Sequence, residues 1–580
     1  MSNSLLLGCH MIRLIDWRVG LASTFLLLAA ALPADEAPTP ASTGLSDVAA
    51  RGAEIFRVRC DACHEPAIDR APAKSLLRTL SPGIAFRALK AGVMRQNAAG
   101  LSDEELGAIV VHLTGRPPGS ADDFDVNANS CRRRPGRLVA GRGDWNGWGG
   151  QGLESARYQR DPGMAARDVP RLALKWAFAY PGGAAGRQVA FVGGLGAEVR
   201  ALDAGTGAEL WRTRVDGHAT ARLNGGSLLH EGLLYVPVGS SEEAAAGNPS
   251  YPCCSFRGSL VAIHAETGRV AWQSYMIEQP PVELASKPGR LAPAGAAIWT
   301  APAVDRRRGL IYAGTGDAYT EPAPRETDAV IAFDLKTGKR RWVRQLVADD
   351  VWLAGCEPKP HANCPQKIGP DFDLGGPMLA RTADGREVVL ASSKSGAAWG
   401  LDPDREGAVI WHNRLGRGGT RGGIEWGGST DGQVAYYPVS DAREGVYVST
   451  LSDEGVPDSP GLNAVDVATG RRLWHTPSPM PDCVWGTPCV HAQPAAPTLI
   501  PGVVFSGSWD GHIRAYATED GRIIWDFDTG NTFAGVNGKP VTGGSIDRGA
   551  QSVARGMLFV NSGVRQRTGN ALLAFTVDGK

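Results

Sequence analysis

The run Cys60-Asp61-Ala62-Cys63-His64 offers the most specific chemistry in the chain. In a C-x-x-C-H pattern two thiols add to the vinyl groups of a haem, and the adjacent imidazole is placed to bind its iron. Met94 lies further on and offers a soft thioether for the opposite axial position. Against these stand a disulfide or zinc pair for the thiols, and ordinary core packing for the methionine. The other cysteines suggest a second kind of chemistry: Cys253 and Cys254 are adjacent, and Cys356/Cys364 and Cys483/Cys489 are close enough in sequence for disulfide-closed loops. Ten cysteines agree with an oxidising compartment, with Cys131 left over and Cys9 in the leader.

Helices must hold a haem ligand set in place. Helical signals run over Asp47 to Arg59 and over Ser102 to Leu113, so a small all-α cytochrome c domain is expected over residues 45–116. Upstream, Arg13 and Arg18 precede an apolar stretch from Val19 to Leu32, followed by Pro33, the order of a secretory signal with cleavage near Ala34. That stretch is short beside the ~20 apolar residues of a membrane span. Residues 1–34 are therefore expected to be a signal peptide, with a periplasmic mature protein that has no span. Residues 117–143 turn polar and Arg-rich (Arg132-Arg133-Arg134) and are expected to be a linker. Lysine plus arginine equal aspartate plus glutamate, 60 against 60, which gives no support to a nucleic-acid partner.

From 144 to 580 one phrase recurs: Ala201 to Trp211, Ala262 to Trp272, Ala332 to Trp342, Ala464 to Trp474 and Ala515 to Trp525, with Gly400 to Trp411 a looser copy. Each copy is an alternating strand, a tight Gly turn and a second strand ending in Trp. Another strand-like run precedes most copies. Repeats 51 to 70 residues apart, built from such strands, describe β-propeller blades. The final Ala574-Phe-Thr-Val-Asp-Gly-Lys580 is half a phrase, and Leu172 to Trp176 supplies the missing strand, so the first strand should close the last blade. The tryptophans count seven blades. Only 35 residues separate Trp176 from Trp211, and Gly186 to Ala204 reads as one blade where an eight-bladed ring would have two.

With cytochrome, repeats and Tyr251-Pro-Cys-Cys-Ser-Phe-Arg-Gly-Ser259 in view, the chain resembles the pyrroloquinoline-quinone (PQQ) dehydrogenases, most closely the cytochrome-containing polyvinyl-alcohol dehydrogenases. Further matches are Asp144-Trp-Asn-Gly-Trp148, Gly295-Ala-Ala-Ile-Trp299, Gly314 to Pro322 and Trp525 to Thr529. The resemblance implies a seven- or eight-bladed quinone-binding propeller after a cytochrome. It implies that Trp299 stacks on one face of PQQ, that the pair Cys253–Cys254 caps the other, and that Lys394 meets the quinone oxygens. For Ca²⁺ it implies Glu243 or Glu242 together with Asp317, hard oxygen ligands suited to that ion. For the general base it implies Asp350, with Asp349 open because the register is loose. The activity implied is a periplasmic quinohaemoprotein alcohol dehydrogenase acting on an alcohol, secondary hydroxyls such as those of polyvinyl alcohol foremost. Electrons would pass from PQQ to haem c and on to a periplasmic acceptor. A non-catalytic propeller scaffold, and a degenerate dehydrogenase lacking a functional quinone site, are the competing readings.

Overall fold

The computed structural model describes residues 44–64, 74–77, 82–90, 94–95, 97–118, 143–145, 147–149, 155–179, 191–193, 196–202, 209–285, 287–356, 360–441, 456–457, 459–479, 491–564 and 569–580. The expected signal peptide, most of the expected linker, Cys131, and the Cys483/Cys489 pair lie outside these residues. Contacts divide the chain into two units, Met1–Gly136 and Arg137–Lys580.

The first unit is helical: Gly44–Arg59, Asp61–His64, Lys74–Leu77, Pro82–Lys90 and Asp103–Thr114. The two long helices cross at Gly52, where a Cβ would stand 1.9 Å from the carbonyl oxygen of Ala108, so only glycine permits the approach. Phe56, Ile109 and Leu113 are buried at this crossing, with Cys60 packed against them. The helix Asp103–Thr114 starts with a capping box, the Ser102 side chain and the Glu105 carboxylate each taking the other's backbone N–H.

The second unit is built of strands. Seven sheets of three to five strands arise among the described residues, accompanied by two short hairpins. In chain order the main sheets cover 191–214, 221–275, 303–345, 378–414, 429–477, 498–528, and finally 551–577, which takes Leu172–Ala179 as its fourth strand. That last pairing sets Trp176 opposite Ala574, the ring closure anticipated from the half-phrases at the two ends of the repeat region. The sheet over 191–214 has three strands among the described residues, so the short stretch between Trp176 and Trp211 yields one sheet there.

The repeated phrase proves to be a lock between blades. Each turn glycine has a positive φ and lies where a Cβ would strike the phrase tryptophan of the preceding blade: Gly268 on Trp211, Gly338 on Trp272, Gly470 on Trp411 and Gly521 on Trp474, all at 2.4 to 2.7 Å. The indole N–H then donates across the gap, Trp211 to Ala265 O, Trp411 to Val467 O, Trp474 to Thr518 O and Trp525 to Leu172 O. Glycine is thus required twice at each turn, for its backbone angle and for its missing side chain. Among the described residues no helix is long and apolar enough to cross a membrane.

Candidate active site

The site grows from loops at one end of the second, third and fourth blades. Past the strand Leu310–Gly314 the ladder continues irregularly: Gly316 N donates to Ala297 O, Ala296 N to Asp317 O and Ala318 N to Asp350 O. These bonds draw together three segments far apart in sequence: the loop carrying Trp299, the turn carrying Asp317, and the connector carrying Asp350. Ahead of the fourth blade, Leu374 N donates to Thr315 O and Lys394 N to Asp373 O, adding Asp371, Asp373 and Lys394.

At the centre, carboxylate oxygens of Asp317, Asp371 and Asp373 lie within 4.8 Å of one another, all three residues buried. Lys394 Nζ donates to Asp371 Oδ1 at 2.6 Å and to Asp373 Oδ2 at 2.7 Å. It also stands 5.4 Å from the centroid of Trp299, over the ring. Burial alone would pull this ammonium down, but Asp371, Asp373 and Glu243 hold it well above its ordinary value. Asp317 gains no such partner: its Oδ2 is buried with no hydrogen bond. Burial, then Asp373, Asp371, Glu243 and Asp350, push its carboxyl far above the usual range. Burial also raises Asp371, with Lys394 opposing and Asp373 and Glu243 reinforcing. Three carboxylates and the field of Glu243 therefore meet one ammonium.

The two adjacent glutamates separate cleanly. Glu242 is fully buried and accepts from Ser255 N at 3.0 and 3.1 Å, Phe256 N at 2.8 Å and Tyr251 Oη at 3.0 Å. Its carboxylate anchors the turn after the vicinal disulfide Cys253–Cys254, which is formed and fully buried. Glu243 instead lies in the electrostatic field of Asp317, Asp371 and Lys394. A second disulfide, Cys356–Cys364, closes a loop whose Asn363 amide donates to Ala246 O, Asn248 O and Tyr251 O, tying the connector to the Glu242 limb.

Asp350 is fully buried and accepts from Asp371 N at 3.2 Å and Phe372 N at 2.6 Å, so its carboxylate braces the turn that aims Asp371. Burial raises it to about 6, against the pull of those amides. Asp349 is exposed, with φ of 59°, and makes none of these contacts.

Trp299 is half-buried and meets Trp426 edge-on, centroids 4.7 Å apart. Trp426 Nε1 donates to Asp547 Oδ1 at 2.8 Å, and Trp509 Nε1 reaches the other oxygen at 3.3 Å. Arg548 stands 5.7 Å over Trp426, and Arg222 feels both Glu243 and Arg548. Trp426, Asp547, Arg222, Asp371 and Asp373 escaped the sequence reading. Asp371, with a φ of 59°, and Asp373 lie in a loop, so no strand pattern marked them. Trp426 and Asp547 lie in Gly-rich loops with no pattern to mark them.

A hard cation fits this donor set. Only oxygen ligands face the centre, one buried carboxylate oxygen lacks any partner, and the negative groups outnumber the positive. A flat anionic ring fits beside it, against the half-buried Trp299 indole, with Lys394, Arg222 and Arg548 supplying positive charge.

In the first unit, His64 is buried and its ring centroid lies 6.0 Å from that of Phe56. His64 N donates to Cys60 O, and Met94 N to Ala88 O. The Cys63 side chain lies outside the described residues.

Comparison with known proteins completes the picture. Residues 257–361 match the family model for the β-propeller domain of glucose, ethanol and alcohol dehydrogenases that use PQQ. A polyvinylalcohol dehydrogenase from Pseudomonas sp. is 36% identical, the alignment covering 91% of this chain and 94% of that protein. One from a Sphingopyxis strain is 35% identical, covering 91% and 93%. Among solved structures, the quinohemoprotein alcohol dehydrogenase of Comamonas testosteroni superposes with a TM-score of 0.53 at 16% identity over 76% of this chain and 82% of its own, a likeness of fold. The identity over nearly the whole length of both chains is decisive: this protein belongs to the polyvinylalcohol dehydrogenase family and is a PQQ-dependent alcohol dehydrogenase.

Proposed function

We propose that the enzyme works in the periplasm, oxidises secondary hydroxyls such as those of polyvinyl alcohol, and passes the electrons to a haem c held by Cys60, Cys63 and His64, with Met94 as second axial ligand. In this reading residues 1–34 are the signal peptide, 45–116 the cytochrome, 117–143 the linker and 144–580 the catalytic propeller. A periplasmic protein then receives the electrons. The observation that carries the active-site part is the orphaned Asp317 Oδ2 in a cluster where carboxylates outnumber ammonium groups. Asp317, Asp373 and Glu243 would hold Ca²⁺ or another hard cation, with Asp371 beside them. Glu242, already committed to backbone amides, would position the Cys253–Cys254 turn.

When bound, PQQ supplies the acceptor for the two electrons of the carbinol C–H bond. The chain's own residues do the rest. Trp299 presents a flat face, with Cys253–Cys254 as the second platform. Lys394 holds an ammonium beside that indole and screens the carboxylates it bridges. In this reading Asp371 takes the hydroxyl proton; Asp350, the base expected from sequence and raised to about 6 by burial, accepts the amides of Asp371 and Phe372 and so aims its neighbour. Burial raises the Asp371 carboxyl above the usual carboxylate range, which favours its taking up a proton.

The test is an absorbance spectrum of protein exported to a bacterial periplasm and reconstituted with PQQ and cation, recorded before and after adding a secondary alcohol. Haem reduction that requires quinone, cation and alcohol together is the expected result. A haem that dithionite reduces but no alcohol reduces, across a substrate panel, overturns the reading. Titrating Ca²⁺ against a trivalent lanthanide shows whether the excess negative charge selects for ion valence.

A further inference from the structure

A chain of contacts links Trp299 to a buried carboxylate that has no part in the chemistry described so far. Trp299 precedes the third blade, Trp426 the fifth and Asp547 the last, and Trp509 lies in a turn of the sixth. Asp547 is buried, and both its oxygens accept: Oδ1 from Trp426 Nε1 at 2.8 Å and from Arg548 N at 2.6 Å, Oδ2 from Trp509 Nε1 at 3.3 Å. The loop that carries it is fixed to the sixth blade, Ile546 N donating to Ser508 O at 3.0 Å and Ser545 Oγ to Trp509 O at 2.7 Å. Trp426 is held by its backbone as well. A Cβ at Gly375 would stand 3.0 Å from Gly427 N, and one at Gly427 would stand 3.1 Å from Gly376 O, so bare backbones press the Trp426 loop against the segment that follows Asp373. Trp299 has no such anchor: its Nε1 is buried with no hydrogen-bond partner among the described residues. It meets Trp426 edge-on, with the ring planes at 79° and the centroids 4.7 Å apart.

We propose that Asp547 is a positioning residue for the quinone: by orienting the Trp426 indole, it sets the plane that Trp299 presents to bound PQQ. This rests on the reading of Trp299 as one face of the quinone site. An indole whose N–H is bonded has its rotation fixed, whereas an indole without that bond is held by contact alone and follows the ring that abuts it. Edge-on contact is directional, because the positive edge of one ring meets the negative face of the other, so a tilt of Trp426 carries Trp299 with it. Arg548, 5.7 Å over the Trp426 ring, holds that indole on a face while Asp547 holds it by its N–H. A carboxylate suits the place, since it accepts on both oxygens at once. Asparagine would turn an N–H donor towards one of the groups that now donate to Asp547.

The experiment uses the full chain, before and after loading with PQQ and Ca²⁺, and compares the wild type with Asp547→Asn, Trp426→Phe and the double variant. Three quantities are read: the tryptophan exciton signal in circular dichroism of the quinone-free protein, the PQQ Kd by titration, and the melting temperature. Asp547→Asn should weaken the exciton signal of the Trp299–Trp426 pair although it removes no ring, and should raise the PQQ Kd about tenfold. The alcohol KM at saturating PQQ should not move. Trp426→Phe takes away the N–H and leaves a ring against Trp299, so it tests the same bond from the donor side and decides the matter if the asparagine variant fails to fold. The double variant should bind PQQ no more weakly than the weaker single variant, because both break one bond. A lowered melting temperature with an unaltered exciton signal and PQQ Kd overturns the positioning role, leaving Asp547 a support of the fold. Additive losses in the double variant, or unchanged PQQ affinity in Trp426→Phe, overturn it too. A wild type that binds no PQQ overturns the quinone-site reading, and the positioning role with it.

Discussion

The tripeptide Asp-Phe-Asp occurs three times in this chain, and the two copies among the described residues, 371–373 and 526–528, differ in how their carboxylates are met. Asp526 ends the sixth blade, where His512 Nδ1 meets it at 2.6 Å and Arg514 Nε at 3.0 Å. Asp528 accepts from Gly530 N at 2.7 Å and from the Asn531 amide. Arg514 is itself buried and also donates to Asp510 at 2.8 Å, so every carboxylate in that group has a hydrogen-bond donor facing it. At Asp371 and Asp373 one ammonium serves both carboxylates, and the neighbouring Asp317 keeps an oxygen with nothing to bind. The first arrangement finishes a fold. The second is an imbalance that protons or a bound cation must offset, and identical residues reach these two ends through what the next strands bring alongside.

Substitutions should widen that contrast. Asp371→Asn is expected to lower kcat by about 10²–10⁴ while melting stays near that of the wild type, measured as quinone- and alcohol-dependent haem reduction. Arg514→Met should act in the opposite sense. Removing the cation leaves Asp510 buried and uncompensated at a cost of about 3–5 kcal/mol, seen by urea unfolding, with cation affinity and KM unmoved. Asp317→Asn should weaken cation affinity at least about tenfold, read as loss of the cation-induced rise in melting temperature. If the Arg514 variant lost cation and the Asp317 variant did not, the contrast would collapse.

The two settings should also part company with pH. Carboxyls raised in the folded state (Asp317, Asp328 and Asp371) hold more protons folded than unfolded. Stability of the cation-free protein should therefore fall as pH climbs from about 4 through their raised values, and a bound cation should flatten that fall. In the sixth blade the signs are mixed. Asp526 is lowered and loses its contribution as pH drops through its folded value; His512 is raised and loses its own as pH rises through its folded value. Melting curves across pH, with and without cation, and in Arg514→Met, separate the two patterns.

The sequence made the fold legible because the phrase repeats a physical necessity. Phrase tryptophans from Trp211 to Trp474 pack on a glycine of the following blade, and Trp211, Trp411, Trp474 and Trp525 also find a carbonyl for the indole, so the same residues recur from seam to seam, and the half-phrases disclose the closing pair Trp176 and Ala574. For the site, the resemblance to PQQ dehydrogenases put forward Trp299, Lys394 and Asp317, and the fold brings Lys394 over Trp299 and onto the carboxylates beside Asp317. The site was opaque where role depends on long-range geometry. Asp371-Phe-Asp373 looks no different from Asp526-Phe-Asp528 until Lys394 and Asp317 arrive from other strands. Glu242 and Glu243 could not be told apart because one residue of rotation sends one carboxylate to the Ser255 and Phe256 amides and the other towards the cluster.

The neighbours Asp349 and Asp350 supply the smallest expected effect and the finest discrimination. Asp349 is exposed and left-handed at φ 59°, a region that asparagine tolerates as readily as aspartate. Asp349→Asn therefore removes a charge without touching the backbone, and should leave kcat within about twofold of the wild type, as surface substitutions do. Asp350→Asn replaces an oxygen that accepts Asp371 N or Phe372 N by an amide that cannot accept, so it should loosen the turn that aims Asp371 and lower both stability and kcat. If Asp349→Asn were the crippled variant, proton abstraction would belong at the exposed mouth of the site rather than in its buried floor. The charge deficit around Asp317 would then concern cation binding alone.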